Sequence, residues 1–515
     1  MPENITIVKA GVMVPAHDKP AVTNAAVAIK DGRIEKTGDY SEIRKAYPQA
    51  QEIGGDEHLL IPGLVNGHSH GRGLTDFQRG ALDNTLESWL LDTRKYIPIE
   101  AYDDCSLSAV RLLKSGVTTT MHNHILKDMV QYDAEFDQAI EAYRNSGMRV
   151  QFNPGVRNAN PFIYGDNAAF LDTLPPQMKE ALTRPMPQGA LNGENFVQVT
   201  RDLHKRANGP KCIIGFGPLA PQWSTDALLM DVRRAADDLG VPIHVHAVQS
   251  IYQKLYGLKH LNKTLVAHMN DIGFLGKGLV IGHCVWPTKQ DIELMAKTQT
   301  AVTHHPSCNL RVRNGISPAW HMLQAGVLVG LGLDGKSIND DDDFIQEMKV
   351  CFLLHRLPSL ELESAHMTPR EVFKMATSNS AELLGFGKKI GRLEPGYRAD
   401  MVLLDYSKMC WPYVHPDHDP ISVLMYRGTG RHVDTVLVDG KVVVDKGEVK
   451  TVDVEEIGER LARTASRPRN DAEINLAAAM DEMKKHVMKY YQGWPNQVEA
   501  DQFFKLNSKT DGFAS

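Results

Sequence analysis

A chain of 515 residues with 42% hydrophobic content can bury a large core and is expected to divide into more than one structural unit. Its formal net charge of −6, without a basic stripe or arginine-rich tract, argues against nucleic acid and for a small substrate. No apolar run is long enough to span a bilayer, and Met1-Pro2-Glu3-Asn4-Ile5-Thr6 lacks the features of a signal peptide, so a cytoplasmic protein with no membrane partner is expected.

Residues 1–58 alternate apolar and polar positions, as in Ile5-Thr6-Ile7-Val8 and Ala26-Val27-Ala28-Ile29, with a turn at Asp31-Gly32-Arg33. The same texture returns over 385–450, in Met401-Val402-Leu403-Leu404 and in Val436 to Val444 with an Asp439-Gly440 hairpin turn. The two ends are expected to form one small β-sandwich domain. Between them, over 59–384, short apolar runs alternate with longer amphipathic stretches. The runs are Leu59 to Asn66, Val117 to His122, Arg149 to Asn153, Cys212 to Phe216, Pro242 to His246, Leu279 to His283, Thr300 to Thr303, and Val327 to Leu333. Eight such runs predict an α/β fold built on a closed (β/α)8 TIM barrel, whose active site would lie at the C-terminal mouth of the strands. Residues 451–515 turn polar and helical. Met480, Met483, Val487 and Tyr490 share one apolar face there, expected to pack on the barrel's outside or at a subunit contact.

The run ends carry the chemistry. His68 and His70 close the first, and residues two apart on a strand share a face, so both imidazoles can meet one ion. His122 ends the second run, His244 and His246 the fifth, His283 the sixth and His304 the seventh, while Asp334 follows the eighth. A nitrogen-rich cavity closed by one carboxylate suits Zn²⁺, with Fe²⁺ as the alternative. His122 and His124 are candidates to touch substrate, and Arg157, after the third strand, to hold an anionic group. Trp223, Tyr252, Tyr256 and Trp286 are candidates to stack on a flat substrate, although such aromatics more often just pack.

Other features have plainer readings. Cys105, Cys212, Cys284, Cys308, Cys351 and Cys410 are scattered without a Cys-x-x-Cys pair, which predicts free, buried thiols. Cys284 and Cys308 lie near His283 and His305, yet neighbours on a strand face opposite ways, which disfavours a thiol nucleophile. Asn339-Asp340-Asp341-Asp342-Asp343 is expected to start a helix, with Phe344, Met348 and Phe352 as its apolar face. Lys336 would stand near the mouth.

Several ordered segments resemble the amidohydrolase superfamily, in the branch holding triazine chlorohydrolases and the S-adenosylhomocysteine, methylthioadenosine, guanine and cytosine deaminases. They are Ile61-Pro62-Gly63-Leu64-Val65-Asn66-Gly67-His68-Ser69-His70, Ser115 to Thr120, Ile243-His244-Val245-His246, Ile281-Gly282-His283-Cys284, His304 to Leu310, Gly330 to Gly335 and Glu394 to Asp400. The resemblance runs from the N-terminus to about residue 450. It implies a metal-bearing barrel with His68, His70, His246 and Asp334 as ligands and His283 beside them. The choice of His246 over His244 rests on that pattern. Three neutral imidazoles and one carboxylate leave a position where water loses a proton near neutral pH, and Asp334 can pass that proton to the leaving group. Relatives with two metals use a lysine of the fourth strand; here Lys211 stands at the wrong end, so one divalent ion is expected.

Deaminases of the branch usually place a glutamate three residues after the fifth-strand histidine, and this chain has Gln249 there. Glutamine can hydrogen-bond but cannot carry a proton. The expectation is therefore a hydrolase of non-peptide carbon–nitrogen bonds: it would cleave an amide, urea or carbamate, or displace a ring substituent, with His283 or His304 as proton donor. Deamination of a purine, pyrimidine or triazine is the alternative. A non-catalytic scaffold without metal is the rival from another class. A homo-oligomer is expected from the architecture of the relatives.

Overall fold

The computed structural model describes residues 5–183, 185–356 and 365–496. Both ends of the chain enter one eight-stranded sheet. Ile5–Met13 pairs antiparallel with Val22–Lys30 and parallel with Gln51–Pro62, and Gln51–Pro62 pairs antiparallel with Met401–Asp405. Val433–Val438, Lys441–Asp445 and Glu448–Val449 extend the sheet on the C-terminal side. Alternation puts Val8, Val27, Ile29, Leu403 and Leu437 into one buried cluster, so each half of the sheet shields apolar area that the other half exposes.

The run Leu59 to Asn66 is divided between two sheets. Leu59 to Pro62 stay in the terminal sheet, and Leu64–Asn66 is the first barrel strand. Proline supplies no N–H at the junction, and a Cβ on Gly63 would stand 2.2 Å from Thr118 Oγ1, so only glycine lets the chain cross there. The other barrel strands are Val117–His124, Arg149–Val156, Cys212–Ile214 continued by Gly217–Pro218, Ile243–Ala247, Leu279–His283, Ala301–His304 and Val329–Leu331. Neighbours pair in parallel, with Phe216 bridging to Ile243 at the fourth strand. The Gly67 amide bonds to the Leu331 carbonyl at 2.7 Å, which joins the last strand to the first.

Alternation sorts the barrel side chains. Val150, Phe152, Ile243, Val245, Ile281, Val302 and Val329 belong to the large cluster shared with the surrounding helices. Val65, Met121, Val280 and Ala301 instead pack with Ala381, Leu383 and Phe386. Positions of opposite parity to the first set therefore face the barrel interior.

Of the two C-terminal helices, Val454–Ser466 packs outside the barrel, its Ile457 and Leu461 against Leu107 of the helix Ala101–Lys114 and Ile99 just before it. Only the second departs from the placement expected from sequence. Asp471–Tyr491 runs beside the helix Leu86–Thr93 at the barrel mouth, and its Met480, Met483, Val487 and Tyr491 pack on Leu91, Ile163, Tyr164 and Leu255. Tyr491, four residues after Val487, continues the buried stripe, and Tyr490 is only partly covered. Asp343 caps the helix Phe344–Leu354 by accepting from the amides of Ile345 and Gln346, which explains the acidic run. Among the described residues, no helix is long and apolar enough to cross a membrane.

Candidate metal centre

Four side chains from three strand ends converge. His70 Nε2 and His68 Nε2 lie 3.1 and 3.2 Å from Asp334 Oδ1, and His246 Nε2 lies 3.3 Å from His68 Nε2. The opposite ring nitrogens are held from behind. His70 Nδ1 donates to the Asn123 carbonyl at 2.8 Å and His246 Nδ1 to the Leu219 carbonyl at 2.7 Å. A carbonyl only accepts, so both Nδ1 atoms carry the proton and both Nε2 atoms present a lone pair to the centre. His68 Nδ1 meets His244 Nε2 at 2.8 Å, which makes His244 a support for His68.

Burial pushes His246 well below, and His68 below, the ordinary imidazole value, so a proton is a poor neutraliser for their facing nitrogens. A divalent cation is a good one. Three imidazole nitrogens and a carboxylate oxygen, all buried or nearly so, fit zinc by donor type and by tautomer.

The second oxygen of Asp334 faces a different group. Cys308 Sγ donates to Oδ2 at 2.9 Å, His283 Nε2 stands 3.5 Å away and His305 Nδ1 3.9 Å. Burial pushes the Asp334 carboxyl up, but the pull of His68, His70 and His283 outweighs it and holds the group well below the usual carboxylate range. Burial also lowers His283 to about 4, against the opposing pull of Asp334, so the ring is neutral at pH 7. His283 has the parity of Leu279 and Ile281, which face the helices. A φ of +71° breaks the alternation and turns its ring inwards, where Nδ1 meets Asn309 Oδ1 at 2.9 Å. Asp334 is likewise set by a φ of +57°. Such backbone is uncommon outside glycine and costs energy that the packed mouth must offset.

The profile of the Amidohydrolase family matches residues 59–443, and that of the bacterial Imidazolonepropionase-like composite domain matches 25–50. The 5'-deoxyadenosine deaminase of Methanopyrus kandleri is 30% identical over 457 residues, covering 87% of this chain and 95% of that protein. The chain belongs to the amidohydrolase family. A second relative of this amidohydrolase, the 5-methylthioadenosine/S-adenosylhomocysteine deaminase of Syntrophomonas wolfei, is 29% identical over 424 residues, 81% of this chain and 88% of that one. Among solved structures, the zinc-bound adenosine deaminase of Xanthomonas campestris superposes with a TM-score of 0.76 at 22% identity, covering 94% of this chain and all (100%) of its own. The zinc complex of atrazine chlorohydrolase from Arthrobacter aurescens gives 0.73 at 21% identity, covering 89% and 100%. The amidohydrolase is thus a barrel hydrolase acting on carbon–nitrogen bonds.

A cavity of about 280 Å³ opens onto the centre, and His70, His246, His283, Asp334, Gln249 and Arg157 of the sequence-derived set line it. Four others are turned away. His304 shares the outward parity of Val302 and meets His355, Nε2 to Nε2 at 3.0 Å, so it cannot donate a proton at the centre; His305, one residue on, faces inwards in its place. His122 and His124 have the parity opposite to the inward Met121 and serve the helix layer, where His122 meets the Tyr143 hydroxyl at 3.1 Å and His124 meets Glu135 at 3.0 Å. Neither touches the cavity. Trp286 donates Nε1–H to the Asn314 carbonyl at 2.8 Å and also lies outside the lining. Lys336 is buried in ion pairs with Asp76 at 2.8 Å and Asp83 at 3.0 Å.

The sequence reading missed one side of the cavity. Glu87, Trp89 and Arg94 come from the helix Leu86–Thr93 and its end, and Met483, Val487 and Tyr491 from the C-terminal helix. Residues 71–100 carry no strand pattern, and their one signal is the apolar spacing Leu86, Trp89, Leu90, which says helix but not where it docks. All six cysteines are free; Cys212 and Cys410 are only half-buried.

Proposed function

We propose that this amidohydrolase holds a single Zn²⁺ on His68, His70, His246 and Asp334 and hydrolyses a carbon–nitrogen bond at an electron-poor carbon of a small nitrogen heterocycle, releasing ammonia or an amine. The observation that carries this reading is the pair of backbone-tethered Nδ1 atoms, which leaves the Nε2 lone pairs of His70 and His246 directed at the centre. Zinc bound there would supply a Lewis acid that brings the pKa of water to near 7.

The protein's own groups divide the rest of the work. Asp334, with one oxygen towards His68 and His70 and the other towards His283, takes the proton of the attacking water and returns it to the departing nitrogen. His283, neutral and tethered by Asn309, directs Nε2 at the same point and orients water or substrate. Gln249 lines the cavity, and its side-chain amide has no hydrogen-bond partner among the described residues. It donates to or accepts from the ring without changing its own protonation, so leaving-group protonation rests on Asp334. The deaminase relatives favour ammonia as the leaving group. Six free thiols support a place in the cytoplasm.

Elemental analysis of the purified chain and of His246→Ala, followed by an ammonia assay on aminated heterocycles, tests this reading. About one equivalent of zinc in the parent, lost in the variant together with turnover, is the expected result. Two equivalents overturn the mononuclear centre, and none overturns the metal mechanism.

A further inference from the structure

Arg94 and Arg157 both line the cavity, and among the described residues neither guanidinium has an ion pair or a hydrogen bond. The other charged groups of the cavity have local partners. Arg72 pairs with Asp76 at 3.6 Å and lies over the Trp89 ring. The cavity's two carboxylates are committed elsewhere: Asp334 belongs to the histidine cluster, and Glu87 bonds to the Ser250 hydroxyl at 2.5 Å. Burial pushes the Glu87 carboxyl up to about 7, so it is only partly ionised at neutral pH and offers Arg94 and Arg157 little charge.

Two like charges half-buried in one cavity without a counterion raise the energy of the free protein. Burial lowers both groups, and the charge of Arg94 lowers Arg157 further, to about 10. A purely structural account covers only part of this. Arg94 stands at the C-terminal end of Leu86–Thr93, where the helix dipole favours a cation by about 0.3–1 kcal/mol. Arg157 directly follows the strand Arg149–Val156 and has no such compensation. What would satisfy both is an oxyanion brought in by the ligand, since a guanidinium meets a carboxylate with two parallel hydrogen bonds. A cavity of about 280 Å³ has room for a single ring bearing a small substituent.

We propose that the substrate is an acid: a small nitrogen heterocycle whose carboxylate docks on Arg94 and Arg157 while its scissile carbon faces His246, His283 and Asp334. This rests on the cavity being the substrate site, as inferred above. Leu86, Trp89, Leu126 and Trp223 line the same cavity and supply an apolar and aromatic wall for the ring.

The test uses the full chain as purified and two probes of matched shape, uracil and its ring carboxylate orotate, titrated by calorimetry. Orotate is expected to bind at least about tenfold more tightly than uracil, as one charge-assisted contact provides. Arg94→Met and Arg157→Met should each erase most of that difference, and both should melt no lower than the parent, because each removes an uncompensated cation. An orotate affinity no greater than that of uracil, absence of binding included, overturns the proposal. So does a preference that survives in both variants, which would place the carboxylate on the metal. A failed zinc assay would sink the hydrolase reading alone, since the orotate preference and its loss are read without turnover.

Discussion

The two ends of the cavity are built by different means. At the end lined by the histidine cluster, His246 sits on a barrel strand, and His68, His70 and Asp334 sit within four residues of one, each backed by a hydrogen bond or a set backbone angle. At the outer end, Glu87, Trp89, Arg94, Met483 and Tyr491 come from helices that belong to no strand of the barrel. Chemistry placed on strand ends is held to the precision of the sheet. Selectivity placed on added helices can change without disturbing it.

That contrast is sharpest where one end is removed and the other kept. His70→Ala should abolish zinc binding and lower turnover by about three orders of magnitude, while the fold persists by circular dichroism. The mirror experiment ends the chain after Arg469, which deletes the helix Asp471–Tyr491 and bares Leu91, Ile163, Tyr164 and Leu255. Zinc content should stay at parental level while KM rises about tenfold or more; loss of zinc in this truncation would show that the two ends are not separable.

A smaller effect is expected from Glu87, on the outer side. Its carboxyl titrates near 7 in the folded chain against 4.5 ordinarily, so the folded state binds the proton more tightly. Its contribution is fully present below pH 4.5 and is lost as pH rises through 7, by up to about 3 kcal/mol. Glu87→Gln should remove that fall, seen as a gain in melting temperature over the parent at pH 8 that vanishes at pH 4. Smallest of all is Cys308→Ser, which keeps a hydrogen bond to Asp334 Oδ2 and should alter turnover less than fivefold, whereas Cys308→Ala frees that oxygen and should cost more.

The same division explains what the sequence disclosed. Strand periodicity located all eight barrel strands, and His68, His70, His246 and Asp334 could be named because they stand at strand ends within segments that resemble the family. Parity decided which candidates are turned away from the centre. His304 and His122 have the outward parity of their strands, a fact visible only once Val302 and Met121 are known to face opposite sides. His283 is the converse case, an outward-parity residue brought in by a positive φ that no pattern announces. The helix Leu86–Thr93 was invisible as a cavity wall because amphipathic spacing tells which face is buried, not against what. Asp471–Tyr491 shows this too: its apolar stripe was legible to within one residue, and its place over the mouth was not.

One seam in the terminal sheet bears on how the protein is made. Gln51–Pro62 leads within a few residues into the first two histidines of the centre, yet one of its edges is completed only by Met401–Asp405. A ribosome adding residues at about 5–20 per second leaves that edge without its partner for tens of seconds. Until then the strand presents unpaired amides and carbonyls to any chain nearby. Closure of this kind is slow and long-range, and the strand leading into the candidate metal-binding histidines gains its second edge only after every strand of the barrel has been synthesised.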